Sequence, residues 1–515
     1  MNHCIKFLPL SAFAFACAVS AAHAADIEMP LSSSSAFPAD ISDPSAYLEN
    51  GAAYAGSIDS GTNLTINFNA DSIPAGDIAS VSSSVTAGDL TYNMYLPSGF
   101  WGKTMLSISA NQTLSVGDFF FNMRESATSH PILTFYINPG STLKVRGNFL
   151  YTDTRSSTSW YETRLSIGGS GSANFDGDFT IDRISASASS HILNAVYCEL
   201  GVANFTVGGV LTLQNARGDK NILSVSTTAS GTFTRTLGGL RVAQNGMILL
   251  NGDASSANTT ELVFTNSGES EYIGGLLTRE TGGTPAANKL NIRMLAESAC
   301  GRQIMRFADT GGWTLDANAF SDSADALGEV EIGNGRLDMG MRDGMKGGSL
   351  FLNGYNGADK AVFSAAGTYS NAEMGKVVFD SMSFYRGTIV FDLAEEKELG
   401  DFIQINGAVT KTSESSELSV EINVSAYDLQ GWLESSGDDE WSADLLSFAT
   451  EGSNVSADDF SVKLQDGIIG KIIISELNGI STVSANLSLV PEPSGIAATL
   501  GLAALAFAAR KRRGK

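Results

Sequence analysis

The stretch SVGDFFF (115–121) is the first copy of a cassette that recurs through the middle of the chain. It returns as KVRGNFLY (144–151), FDGDFTI (175–181), TVGGVLT (206–212), TLGGLRV (236–242) and YIGGLLT (272–278). Each copy sets a small, turn-forming pair before an apolar residue. The leading glycines are Gly117, Gly147, Gly177, Gly208, Gly238 and Gly274, spaced 30, 30, 31, 30 and 36 residues apart. A second strand-like run precedes most copies, as in TMLSISANQ (104–112), LTFYINPG (133–140) and ELVFTNSG (261–268).

A fixed period of this size is the mark of stacked coils, each burying its apolar face against its neighbours. The runs are short, partly alternating and rich in Val, Ile, Leu, Thr and Phe, the residues that suit a pleated surface. Gly, Asn, Ser and Asp separate them and tolerate turn conformations. Helical periodicity is absent. The spacing predicts an all-β fold, a parallel β-helix or β-solenoid of about 30 residues per coil. An antiparallel β-sandwich with a coincidental near-repeat is the competing reading.

The expected organisation has five parts: a leader at 1–24, a loop and capping strands at 25–110, regular coils at 111–280, a less regular continuation at 281–488, and a tail at 489–515. Within the cap, TNLTINFNA (62–70) and GDLTYNMYL (88–96) read as strands. In the continuation, DANAFSDSADALGE (316–329) reads as a short helix or an irregular insertion.

The leader has Lys6, an apolar run and the small-x-small end Ala22-His23-Ala24, which reads as a secretory signal helix cleaved before Ala25. Cys17 lacks the preceding leucine of a lipoprotein site. With Cys4 and Cys17 in the leader, Cys198 and Cys300 remain, and both a disulfide and two buried thiols are open to them. The formal net charge of −23 argues against partnership with nucleic acid or anionic lipid.

The stretch SFYRGTIVFDL with GDFIQINGAVT, followed by LLSFAT and SADDFSVKL (between 383 and 464), resembles the last coils of autotransporter-type β-helical passengers. The likeness is to the Gly/Asn-rich surface proteins of that type in Verrucomicrobia. No membrane-barrel pattern follows it, so a self-contained autotransporter is not expected.

The tail reads VPEPSGIAATLGLAALAFAARKRRGK (490–515). Pro491-Glu492-Pro493, an apolar run over 496–509 and the basic cluster Arg510, Lys511, Arg512, Arg513 together resemble the PEP-CTERM sorting signal of Gram-negative bacteria. That resemblance implies recognition by an exosortase, a membrane processing enzyme, and delivery to the cell surface, often amid exopolysaccharide. It makes Pro491-Glu492-Pro493 a motif read by another protein rather than a catalytic site. As a helix the apolar run spans about 21 Å, short of the roughly 30 Å hydrocarbon core. A transient inner-membrane association, with the basic cluster on the cytoplasmic side, is expected. A permanent tail anchor is the alternative.

Catalytic signatures are scarce. Beyond the leader only His130 and His191 remain, without metal-ligand spacing, and no nucleophile elbow or phosphate-binding loop occurs. Asp316, Asp322 and Asp325 offer hard oxygen ligands but lack a calcium-motif spacing and read as an acidic loop; no cofactor or metal is expected. Asp176 with Asp178, Glu395 with Glu396, and Asp438-Asp439-Glu440 are candidate carboxylate pairs for a glycoside hydrolase or polysaccharide lyase. Trp160, Tyr161, Trp432 and Trp441 are candidate sugar platforms. Solvated turns and ordinary packing explain all of these as well. The reading is a secreted, non-enzymatic cell-surface or matrix protein with a structural or adhesive role, touching extracellular polysaccharide. Its alternatives are a β-helical carbohydrate-active enzyme and a carbohydrate-binding surface protein.

Overall fold

The computed structural model describes residues 25–490, apart from 33–34, 36, 70–76, 96–102, 125–131, 155–161, 185–194, 217–219, 228, 266, 298–300, 311–312, 316–317, 355–356, 358–359, 368–374 and 397–398. The chain winds into an all-β parallel solenoid of about ten turns and about 30 residues per coil. In the regular part each coil contributes three short strands, and three parallel sheets run along the axis. One sheet stacks Leu64, Leu90, Phe119, Phe149, Phe179 and Leu211 in register. A second stacks Ala79, Leu106, Phe135, Ile167 and Leu200. The third stacks Val85, Leu114, Leu143, Ala173 and Phe205.

Alternation decides which side chains fill the interior. In Leu90–Tyr95 and Phe119–Arg124 every second residue is buried until the strand ends. The inward set forms one continuous core. Its centre is an aromatic column. Phe149 stacks on Phe179 with ring centroids 4.6 Å apart and meets Phe119, Phe135 and Phe175 edge-on. Tyr92, Phe121 and Tyr151 form a second column at 5.2 Å spacings. Strands 4.7–4.9 Å apart place identical ring positions within stacking distance, so repeating Phe at one register position stabilises each coil through the next.

Arg235 stands in the third column, between Phe205 and Leu262. It is fully buried and donates to the carbonyls of Leu200 (2.7 Å), Val202 (2.9 Å) and Val225 (2.9 Å), which converge on it from neighbouring corners. Burial pulls its guanidinium down to about 10, so it stays charged at neutral pH.

The parallel stack begins earlier than the cassette. Ala25–Leu31 pairs residue for residue with Thr62–Asn69, which pairs with Leu90–Tyr95, so the strands expected as a cap are coils themselves. Further along, the regular rhythm breaks. The third column runs Ile292, Val330, Leu350, steps of 38 and 20 residues. The longer step holds an excursion, which is neither helical nor irregular. Trp313–Leu315 and Asn318–Asp322 form an antiparallel hairpin that pairs back onto Leu277–Arg279. Phe320 covers a separate outer cluster of Tyr197, Ile222, Met247, Leu249 and Leu277.

One α-helix among the described residues, α1 (Ala426–Ser436), interrupts the last coils, in a stretch to which the sequence reading assigns no element. Ser425 caps it by accepting from Asp428 N–H, and Gly437 ends it at φ 76°. Leu429 is buried and Trp432 packs on Trp441 at 5.1 Å. The stack then finishes on antiparallel strands. Ile480–Leu489 pairs with Trp441–Ala449, and Ile468–Leu477 pairs outside it. Among the described residues no helix is long and apolar enough to cross a membrane; the apolar run at 496–509 lies outside them.

Candidate functional site

The cassette glycines mark a built corner of the rod. At Gly117, Gly147 and Gly177 the chain turns between two sheets, and each glycine N–H donates to the glycine carbonyl one coil back, Gly117 to Gly88 (2.6 Å), Gly147 to Gly117 (3.0 Å) and Gly177 to Gly147 (2.9 Å). The next residue carries the ladder. Asn63 Oδ1 accepts from Asp89 N–H (2.9 Å), Asp89 from Asp118 (2.8 Å), Asp118 from Asn148 (2.7 Å), Asn148 from Asp178 (2.9 Å), and Asp178 from Val210 (2.8 Å). Each side chain thereby satisfies a corner amide of the following coil that no sheet bond reaches. It also occupies the space a Cβ would need at that coil's glycine, which explains the pairing of Gly with Asx in the cassette.

Later copies depart from this pattern. Gly209, not Gly208, bonds to Gly177 O (2.9 Å) and faces the Asp178 side chain, while Gly208 lies against the backbone of Asp176. Gly238 packs on the carbonyls of Gly208 and Gly209 inside the long strand Gly231–Leu250. Gly274 stands opposite Gly246, at a different corner from the other anchors. Its 36-residue offset is the trace of that change. Conversely, Gly88-Asp89-Leu90 is a full copy 29 residues before Gly117 that the sequence reading leaves out; its Gly-Asp-apolar triplet is the signal that identifies it.

Two polar ladders run along the flanks. Asn67 donates to Glu28 (2.6 Å), Asn93 to Asn67 (2.8 Å) and Asn122 to Asn93 (3.0 Å). On the third sheet Thr234, Glu261, Arg293, Glu331 and Asn353 form a chain of contacts across successive coils, at 3.3, 3.2, 3.6 and 3.0 Å. Nearby, the buried Asp338 receives both Arg302 and Arg336. The partly exposed pairs of the two ladders add little stability one at a time. Their regular spacing, one polar group per coil, is their distinctive property.

The described candidate carboxylates have separate surroundings. Asp176 and Asp178 sit at the corner rather than on a shared strand face. Asp176 pairs with Lys144 (3.5 Å), and Asp178 holds the Val210 amide. Glu395 accepts from Ser435 on α1 (3.1 Å) and Glu440 from Asn486 (3.4 Å). Glu396, Asp438 and Asp439 lie in exposed turns. Trp441 is buried and Trp432 packs partly against the core. Trp160, Tyr161, His130, His191, Cys300 and Asp316 lie outside the described residues, as do the leader 1–24 and Pro491, Glu492, Pro493, Arg510, Lys511, Arg512 and Arg513. Cys198 is buried in the core, which pushes its thiol up, and among the described residues it forms no disulfide.

Asp322 and Asp325 part company. Asp325 pairs with Lys346 (3.4 Å). Asp322 hydrogen-bonds the carboxyl of Asp309 and accepts from Thr310 N–H (3.1 Å), with Arg342 at 3.9 Å. Burial, helped by the Asp309 bond, pushes Asp322 up to about 6. Asp401 is the other displaced carboxyl. Burial pushes it up to about 8, against two backbone donors, Gly375 N–H (2.6 Å) and Asp392 N–H (2.8 Å), that favour the ionised form.

No protein-family profile matches the chain, and no curated protein matches it in sequence.

Proposed function

We propose that this chain is an exported, non-enzymatic rod of the cell surface or extracellular matrix, with a structural or adhesive role. The observation that supports it most is the stack of about ten coils, which offers one polar side chain per coil along its flanks. Coils repeat every 4.7–4.9 Å, so these flanks suit a polymeric ligand that makes many weak, regularly spaced contacts, such as an extracellular polysaccharide. Asp178 holds a corner amide, Asp176 and Asp325 form ion pairs, and Glu396, Asp438 and Asp439 lie in solvated turns, which is what a scaffold needs of them. The leader and the PEP-CTERM-like tail supply the route. In this reading the tail associates transiently with the inner membrane, an exosortase-like enzyme reads Pro491-Glu492-Pro493, and the body is released outward.

The test is the intact mass of the protein recovered from its native host, with cells and medium separated. The expected species lacks 1–24 and everything beyond the Pro491-Glu492-Pro493 region, and sits at the cell surface or in the medium. A species retaining the sequence through Lys515 in the inner-membrane fraction would overturn the sorting route and leave an anchored envelope protein.

A further inference from the structure

The last strand of the rod, Ile468–Leu477, is an edge. It pairs with Ile480–Leu489 through the register Ile468↔Leu489 to Leu477↔Ile480, and among the described residues no strand pairs with its other side. Val490 N–H donates to Gly467 O (2.9 Å), and the hairpin closes on Asn478-Gly479, both at positive φ. Odd-numbered residues therefore bond inward. Gly470, Ile472, Ile474 and Glu476 turn their N–H and C=O groups to the open side.

Proteins ordinarily defend such an edge with charge, proline or a bulge. Here the outward side chains are Ile469 (49% exposed), Lys471, Ile473 (37%), Ser475 and Leu477 (75%). The adjoining strand presents Ser488, Asn486, Ser484 and Thr482 beside the first four of these. The apolar groups are thus concentrated on the outermost strand.

We infer that this edge joins a second copy of the chain, strand to strand and antiparallel, so that two rods meet end to end about a two-fold axis. The sequence of the edge is self-complementary in one register. With Ile473 opposite Ile473 of the other copy, Ile469 faces Leu477, Lys471 faces Ser475, and Ile472 faces Ile474. Shifting by two residues in one direction sets Lys471 against Ile473; shifting further sets it against another Lys471. The favoured register also matches the bonding parity. Even-numbered residues fall in hydrogen-bonded pairs, giving about eight backbone bonds, and Ile473 falls in a non-bonded pair with Cα atoms about 4.5 Å apart. Two full chains of net charge −23 each repel, so salt strengthens the association.

The experiment uses the purified full chain, with mass read by light scattering after size exclusion, and an Ile473→Cys variant under mild oxidation. The expected mass is twice 54.0 kDa, rising with protein and salt concentration. The Ile473→Cys variant is expected to form a covalent dimer in high yield, because about 4.5 Å suits a disulfide. Ile469→Cys and Ser475→Cys are expected to stay at the wild-type background, which accounts for the native cysteines. Ile473→Lys is expected to give a monomer whose unfolding midpoint equals that of the wild type diluted to monomer, since its side chain points away from the core. A monomer at every concentration, such as a chain whose own tail covers the edge, would overturn the inference. So would a dimer indifferent to Ile473→Lys, or equal cross-linking at 469, 473 and 475.

Discussion

Placing alanine at Gly147 tests the corner ladder directly. A Cβ there overlaps Asp118 Oδ1 and sits 3.0 Å from Asp118 Cγ, while the next nearest atom is at an ordinary 3.5 Å. The backbone tolerates the change, since Gly147 is not among the positive-φ residues. The substitution must expel the Asp118 side chain and break its 2.7 Å bond from Asn148 N–H. A hydrogen bond to a charged group is worth about 1.5–3 kcal/mol, and replacing glycine returns about 0.4–1 kcal/mol through the unfolded chain. Gly147→Ala should therefore destabilise by about 1–2 kcal/mol. In an Asp118→Ala background the obstruction is gone, and the same change should stabilise by about 0.4–1 kcal/mol. The coupling is then about 1.5–3 kcal/mol. Urea unfolding followed by circular dichroism measures it, with equal denaturant slopes as the condition for comparison. Additive costs would refute the ladder as the reason for glycine at this position. At Gly274 the obstruction is the backbone of Gly246, so no side-chain deletion should rescue Gly274→Ala.

Three further outcomes are expected. Phe149→Ala empties the centre of the aromatic column and should cost about 3–5 kcal/mol in the same unfolding assay, far more than Phe120→Ala on the half-exposed outer face. Asp401→Ala leaves the amides of Gly375 and Asp392 without their buried acceptor and should cost about 2–5 kcal/mol; a loss below about 1 kcal/mol would show that water replaces the carboxyl. Asp322 holds its proton more tightly folded, to about 6 against an ordinary value of 3.8. The native state thus binds more protons in that window, and stability from this group is full below it and lost as pH rises through it. Unfolding midpoints from pH 3.5 to 7 (about the window plus one unit) should show Asp322→Asn gaining on the wild type as pH rises; parallel curves would contradict the shift.

Period, strand class and corner chemistry were legible because they are local. A turn-forming Gly-Asx pair before alternating apolar residues specifies a bend and a strand wherever it occurs, and Phe at 119, 149 and 179 repeats the instruction. The cap of α1 is equally local, with Ser425, Asp428 and Gly437 in place, a signal the sequence reading passes over. Other features depend on what the neighbouring coil presents. Gly238 and Gly274 look like Gly147 in sequence yet meet backbone rather than an Asx side chain, because the register shifts between Val207 and Val210 and again between Val242 and Gly246. Arg235 points inward because four carbonyls of other corners converge there. The hairpin at 313–322 and the open strand Ile468–Leu477 take their roles from which edge lies beside them. Sequence alone determined that the chain coils and where it bends. Which bends stack, which carboxylates are consumed in stacking, and which edge stays open were decided by contacts between residues about a coil or more apart, whose energies no single stretch encodes.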